Sequence, residues 1–190
     1  MYNYRGPKLK FNNKPFSWNL DAKGGFVKAE YFKCTDGDTA VFKIDGLREI
    51  VRLLVINTPE LGDNPEMFAV EARDYLEYVL SHAESIYLQT DKKSDLRDST
   101  ERRRLLCWLW VDDELVNYNL VRLGYAKVKY IQSEKLRYLK NLRYAERLAK
   151  EENLRIHSVS RNIEEEFWMR HQYIVFYFQM INLNFQQLNT

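Results

Sequence analysis

The chain has 190 residues, enough for one well-buried domain with some extension but cramped for two. Its 29 basic residues nearly balance 27 acidic ones, and a net charge of +2 with a pI near 8.4 is too mild to diagnose nucleic-acid binding, so only the local distribution of charge can inform. Hydrophobic residues at 45% and charged residues at 29% are ordinary for a soluble globular protein, with a surplus of Tyr and Phe.

Residues 1–22 mix Asn, Lys, Pro and aromatics without periodicity and read as an extended arm. They contain no apolar core of signal-peptide length, and the compartment is left open. From Gly24-Gly25 onward, "FVKAEYFKC", "TAVFKI" and "REIVRLLVI" are β-favouring runs separated by Asp-Gly turns, as in a three-stranded meander. Next, Asn64, Pro65 and Glu66 form a helix-start signal, followed by Phe68, Ala72, Tyr75, Leu76, Val79, Leu80 and Ala83 at helical spacing. "SIYLQTD" and "RLLCWLWVD" then read as strands around a charged loop, "ELVNYNLVRLG" as a short helix ended by Gly124, and "YAKVKYI" as extended. A final helix is expected from near Ser133, with Leu136, Leu139, Leu142, Ala145 and Leu148 facing the core.

The order β-β-β-α-β-β-α-α predicts an α+β fold with a mainly β core: a five-stranded oligonucleotide-binding (OB) barrel with three helices. A helix-over-meander fold is the alternative. The expected organisation is an arm at 1–22, one domain at 23–157 and a C-terminal extension at 158–190. The longest apolar run, "YIVFYFQMI" at 173–181, is about half of what a membrane-spanning helix requires.

Candidate chemistry lies in three short pieces. In "DGDT", Asp36-Gly37-Asp38 is either a tight turn or half of a metal site. In "VRLLVINTPE", Arg52 precedes an apolar strand, and Asn57 and Glu60 flank a Thr-Pro turn at or near one sheet end. In "STERRRLLCWLW", Arg104 stands at the mouth of another strand, where a guanidinium could face the same cleft.

Together with the "ELVNYNLVRLGYAKV" helix, these pieces resemble the staphylococcal nuclease (thermonuclease) family over roughly residues 26–157, in that family's order. The resemblance implies a calcium-dependent phosphodiesterase cutting DNA and RNA, single-stranded or locally opened, with little sequence preference. It implies Ca²⁺ held by Asp38, by the backbone oxygen of Thr58, and by Asp36 through water. It also implies Glu60 as general base, Arg52 and Arg104 as phosphate-binding arginines, and Tyr130 lining the nucleotide pocket. Those residue types suit the chemistry, because an anionic phosphodiester repels hydroxide until cations offset the charge on its oxygens.

This chain departs from the family pattern at two points. Asn57 stands where a calcium-binding aspartate is usual, keeping an oxygen but losing a charge. Arg102-Arg103 replace Tyr-Gly before the last arginine, which makes Arg102 an added electrostatic contact for substrate. A non-catalytic nucleic-acid-binding or scaffold module of the same fold is the alternative function. Other features carry plainer expectations. Cys34 and Cys107 lack any CxxC or metal spacing and are expected as buried free thiols; His82, His157 and His171 are scattered singly; Trp108 and Trp110 are expected to pack. Within the extension, the tail from Ile163 to Thr190 has no family counterpart, and docking onto the domain or self-association through it is expected.

Overall fold

The computed structural model describes residues 24–158. The predicted arm, nearly all of the predicted extension and His171 lie outside the described residues. In chain order the elements begin with β1 (Phe26–Lys28), β2 (Glu30–Asp36), β3 (Thr39–Ile44), β4 (Leu47–Leu53), β5 (Ile56–Asn57) and α1 (Ala69–Ser81). They continue with β6 (Ile86–Gln89), β7 (Leu105–Val111), β8 (Glu114–Leu115), α2 (Val116–Arg122), β9 (Lys127–Val128) and α3 (Leu139–Glu151).

Strands pair in the order β1-β6-β7-β4-β3-β2, with β4 and β7 parallel and the other neighbours antiparallel. The two ends of that path, β1 and β2, are successive segments of one bent strand interrupted only at Ala29, so the sheet closes on itself. This is the OB-like barrel expected from the sequence, its staves being β1/β2, β3, β4, β6 and β7. Closure leaves no open edge to protect. Strand β7 is buried along its whole length, and Trp108 and Trp110 pack in the core as expected. Their indole N–H groups donate to Asp91 at 2.9 Å and to Gln89 at 3.1 Å, which satisfies the one polar atom each ring buries. Both cysteines are free; Cys107 is buried and Cys34 half-buried. His82 is exposed and His157 buried.

Two helices begin later than their sequence signals predict. Phe68 takes a left-handed conformation at φ 70, so α1 starts at Ala69 instead of Pro65. Residues 60–66 instead close a loop, with Glu66 N–H donating to the Glu60 carbonyl and Glu60 N–H donating to the Glu66 carboxylate, both at 3.0 Å. Similarly, Ser133 caps only a short turn, through the Lys135 N–H at 3.2 Å. The Arg137 N–H is drawn to Asp91 at 3.0 Å, and α3 starts at Leu139. Helix α2 ends as predicted at Gly124, whose φ of 73 suits glycine. Among the described residues no helix is long and apolar enough to cross a membrane.

A buried amide fixes the crossing that carries the site. Asn117 on α2 accepts the Leu109 N–H at 2.9 Å and donates to the Leu54 carbonyl at 3.0 Å. It thereby ties the β4–β5 turn to β7.

Candidate active site

Sheet register aligns the candidates laterally. Asp36 pairs with Thr39, Thr39 pairs with Arg52, and Arg52 pairs with Leu106 across the parallel β4–β7 contact. Directly paired residues point to the same face. Asp36, Thr39 and Arg52 therefore share one face at the sheet end where Arg104 enters β7. The "DGDT" turn is pressed inward here: a Cβ on Gly37 would stand 2.8 Å from the Ala72 Cβ and 2.9 Å from the Thr58 side chain. Glycine lets α1 and Thr58 approach the turn.

Asp38 is wholly buried beneath this row. One carboxylate oxygen accepts the Thr58 N–H at 3.0 Å, and the other accepts the Thr39 hydroxyl at 3.1 Å and pairs with the Arg52 guanidinium. Arg52 also donates to Asn57 Oδ1 at 2.9 Å and to the Ile56 carbonyl at 3.2 Å, while Asn57 Nδ2 donates to the Thr58 carbonyl at 3.1 Å. Asp38, Asn57 and the Thr58 carbonyl thus converge, and each is engaged by a protein N–H. Burial, with the Arg104 charge beside it, pulls Arg52 down to about 10, so it stays cationic at neutral pH.

Arg104 is held from the other side. Its Nε donates to Asp98 Oδ2 at 2.6 Å, its backbone N–H donates to Asp98 Oδ1 at 3.0 Å, and Nη1 reaches the Thr39 hydroxyl at 3.5 Å. Burial pushes the Asp98 carboxyl upward, but hydrogen bonds from Thr100 and Arg104 and the Arg104 charge outweigh it and hold it below its usual value. Asp98 is a site residue that the motifs did not mark. The only trace in the sequence is an acid six residues before Arg104 in a loop rich in turn formers.

These groups border a cleft of about 440 Å³ whose lining includes Asp36, Arg52, Asn57, Glu60, Arg104 and Tyr130. Glu60 is exposed, its backbone is pinned by Glu66, and among the described residues its carboxylate takes no hydrogen bond or close ion pair, though its charge acts on Arg52. Tyr130, 59% exposed and at φ 56, stands with its ring centroid 5.8 Å from the Arg52 guanidinium carbon. Gln132 is a further lining residue the motifs missed; its side-chain oxygen accepts the Asp95 N–H at 2.8 Å. Arg102 is exposed and does not line the cleft, because the Asp98–Thr100–Arg103 turn directs 101–103 outward. Among the described residues no cluster of three or more His, Cys, Asp or Glu forms a metal cage. The oxygen set is instead one buried carboxylate, an amide and a backbone carbonyl, with Asp36 on the cleft wall.

Two guanidinium groups lining one cleft with a carboxylate that takes no hydrogen bond can hold an anion and present a base to it. A closed OB-like barrel with such a site at one end is a fold class that presents a cationic cleft beside a carboxylate. The chain belongs to the staphylococcal nuclease family: the family model described as "Staphylococcal nuclease homologue" matches residues 50–158, over half of the chain. Endonuclease YncB of Bacillus subtilis (strain 168) is 30% identical over 129 residues, covering 67% of this chain and 60% of the relative. The SPbeta prophage-derived endonuclease YokF of the same strain is 31% identical over 127 residues, covering 66% and 42%. Thermonuclease of Staphylococcus hyicus is 28% identical over 116 residues, covering 60% and 62%. The chain thus spans less than two thirds of each of these relatives.

Proposed function

We propose that the protein is a calcium-dependent nuclease that hydrolyses phosphodiester bonds in single-stranded or locally opened DNA and RNA. One observation carries this reading: the Glu60 carboxylate, which takes no hydrogen bond among the described residues, lines the same cleft as Arg52 and Arg104. In this role Glu60 accepts a proton from water as the water oxygen bonds to phosphorus, the P–O ester bond to the leaving nucleotide breaks and its oxygen takes a proton from solvent, while Arg104, aimed by Asp98, holds a non-bridging phosphate oxygen through charge-assisted hydrogen bonds. Tyr130 on the rim offers a face on which an unpaired base can stack, which favours open strands over intact duplex. Relatives named endonuclease and thermonuclease support the same class of reaction.

The ligand set fits a hard cation in kind, since Asp38, Asn57 and the Thr58 carbonyl converge as oxygen donors with Asp36 nearby for a water-mediated contact. When bound, Ca²⁺ supplies positive charge to offset the negative charge that builds on the phosphate oxygens. Arg52 takes the oxygens of both Asp38 and Asn57, so a cation held by those two residues would compete with its guanidinium for them.

Plasmid and single-stranded oligonucleotide degradation with added Ca²⁺ and with chelator tests the reading, alongside Glu60→Gln. Expected are cutting with Ca²⁺, almost none with chelator, and a fall of roughly a hundredfold or more in kcat for Glu60→Gln with oligonucleotide binding retained. Equal cutting in chelator removes the cation. The interlock of Arg52 with Asp38 and Asn57 favours one second reading, a binding module that never opens for a cation. Oligonucleotide binding without cutting in either condition would establish it.

A further inference from the structure

Beyond the cleft, the same sheet face carries a second group of cations. Opposite Thr39 and Arg52 the register continues outward through Val41 with Ile50 to Lys43 with Arg48, and Lys33 pairs with Val41 from β2. Lys33, Lys43 and Arg48 therefore stand on the face that holds Asp36, Thr39 and Arg52. Arg48 is four residues from Arg52 along β4, about 13 Å at the usual rise of a strand.

The aromatic on this face is placed by an irregularity. Register shifts between Tyr31 and Lys33, leaving Phe32 as the extra residue of a bulge. The Arg48 guanidinium carbon lies 3.9 Å from the Phe32 ring centroid and the Lys43 ammonium 5.7 Å from it. Elsewhere Arg73, Arg97, Arg104, Arg122, Arg143 and Arg147 each meet a carboxylate. Arg48 instead rests on an aromatic ring, and among the described residues Lys33, Lys43 and Arg48 pair with no acid. Glu30, opposite Lys43, is the acid of this row. A guanidinium that packs against a ring spends no N–H on an acid and keeps those donors for an anion.

We infer that Phe32, Lys33, Lys43 and Arg48 form an auxiliary binding track for the phosphate backbone of the same polynucleotide strand that enters the cleft. The occupant is a polyanion because three cations without an acid partner stand together on one face, and it is the substrate strand because that face leads to Arg52 across a single intervening pair, Val41 and Ile50. This inference rests on the proposed nuclease reading for the identity of the strand. The track holds the strand at a distance from the cut, so it acts on long substrates and not on short ones.

The test uses the full chain in chelator, where the proposed reading expects no cutting, and fluorescence anisotropy of labelled oligothymidylates of three and twelve nucleotides. For the Lys43→Ala/Arg48→Ala double variant, twelve-nucleotide affinity should fall about tenfold at low salt. Its log K against log salt slope should drop by about 1.4, two phosphate contacts at about 0.7 each. Binding of the trinucleotide, and Ca²⁺-dependent cutting of it, should be unchanged. Phe32→Leu, which keeps every charge, should weaken twelve-nucleotide binding a few-fold. A charge-matched control, Lys135→Ala/Lys140→Ala, should leave it near wild type. Unchanged twelve-nucleotide affinity, a loss equal to the control's, or an equal loss for the trinucleotide overturns the track. Failure of the wild type to cut anything while the twelve-nucleotide loss persists would retire the nuclease reading and keep the surface. Thermal melts of each variant separate loss of contact from loss of fold.

Discussion

Restoring a carboxylate with Asn57→Asp tests the link between the cation and Arg52. At about 4 Å in water-like screening two unit charges interact by ~1 kcal/mol, so a new carboxylate attracts a divalent ion by ~2 kcal/mol. The same carboxylate also attracts Arg52, which already donates to residue 57 at 2.9 Å, and that pair must break before the cation enters. The competing attraction is ~1 kcal/mol, leaving a net gain of ~1 kcal/mol, or about fivefold in Ca²⁺ affinity. In an Arg52→Gln background the competitor loses its charge while its hydrogen-bonding capacity remains. There the gain from Asn57→Asp should rise to about thirtyfold, the equivalent of ~2 kcal/mol. Isothermal titration of Ca²⁺ into the four proteins of this cycle at fixed ionic strength measures both gains without requiring turnover. Superimposable titrations for wild type and Asn57→Asp would show that residue 57 does not touch the cation. Equal gains in the two backgrounds would show that Arg52 does not compete.

Asp98→Asn should raise KM for oligonucleotides about tenfold by replacing charge-assisted bonds to Arg104 with neutral ones. The Asp98 carboxyl is held below its unfolded value, so its stabilising pair is present above about pH 4 and lost as pH falls through the folded value. Oligonucleotide affinity in the wild type should therefore weaken more steeply in acid than in Asp98→Asn, and parallel acid limbs would refute the role. Arg102→Ala should leave kcat unchanged and reduce the salt slope of binding by about 0.7; a large fall in kcat would assign the phosphate contact to Arg102 in place of Arg104. Asn117→Leu should cost about 2–4 kcal/mol in urea unfolding, because it orphans the Leu109 N–H and the Leu54 carbonyl inside the core. Burial raises the Cys34 thiol to about 11 and the Cys107 thiol higher still. Neither should react with Ellman's reagent in the native protein at pH 8, whereas both should react after unfolding.

The barrel was legible because its strands and turns are specified locally. Alternation and β-branched residues mark β3 and β4, and Asp-Gly turns separate them, so the meander follows from neighbours in sequence. Helix starts were less legible where the decisive partner lies far along the chain. Asn64-Pro65 has the chemistry of a helix start, yet Glu66 bonds back to Glu60 and Phe68 turns left-handed, which spends those residues on the loop that presents Glu60. Ser133 fails to start α3 because Asp91, 46 residues away from Arg137, takes the N–H the helix would have used. A local signal states a preference, and a buried carboxylate outweighs it.

In the site, residue types were readable and their mutual engagement was not. Nothing in "VRLLVINTPE" announces that Arg52 folds back onto Asn57 and the Ile56 carbonyl, because that contact depends on the reversal at Val55, which stands at φ 65. Physical necessity supplies the rest. Asp38 is wholly buried, and a buried carboxylate without a counter-charge costs several kcal/mol, so the protein needs a cation beside it. Arg52 provides that charge from within the chain. On the proposed reading Ca²⁺ would supply charge there as well, and each N–H donor that Arg52 no longer gives to Asp38 and Asn57 is free for a phosphate in the cleft. Cation entry and phosphate capture by Arg52 are then coupled, so Ca²⁺ and a nucleotide ligand should each tighten the binding of the other by the same factor. Titrating Ca²⁺ with and without thymidine 3′,5′-bisphosphate measures one side of that linkage, and titrating the nucleotide with and without Ca²⁺ measures the other. In Arg52→Gln both factors should shrink together, leaving only the direct attraction between cation and phosphate. An undiminished factor in that variant would locate the coupling in the cation alone and leave Arg52 a structural partner of Asp38.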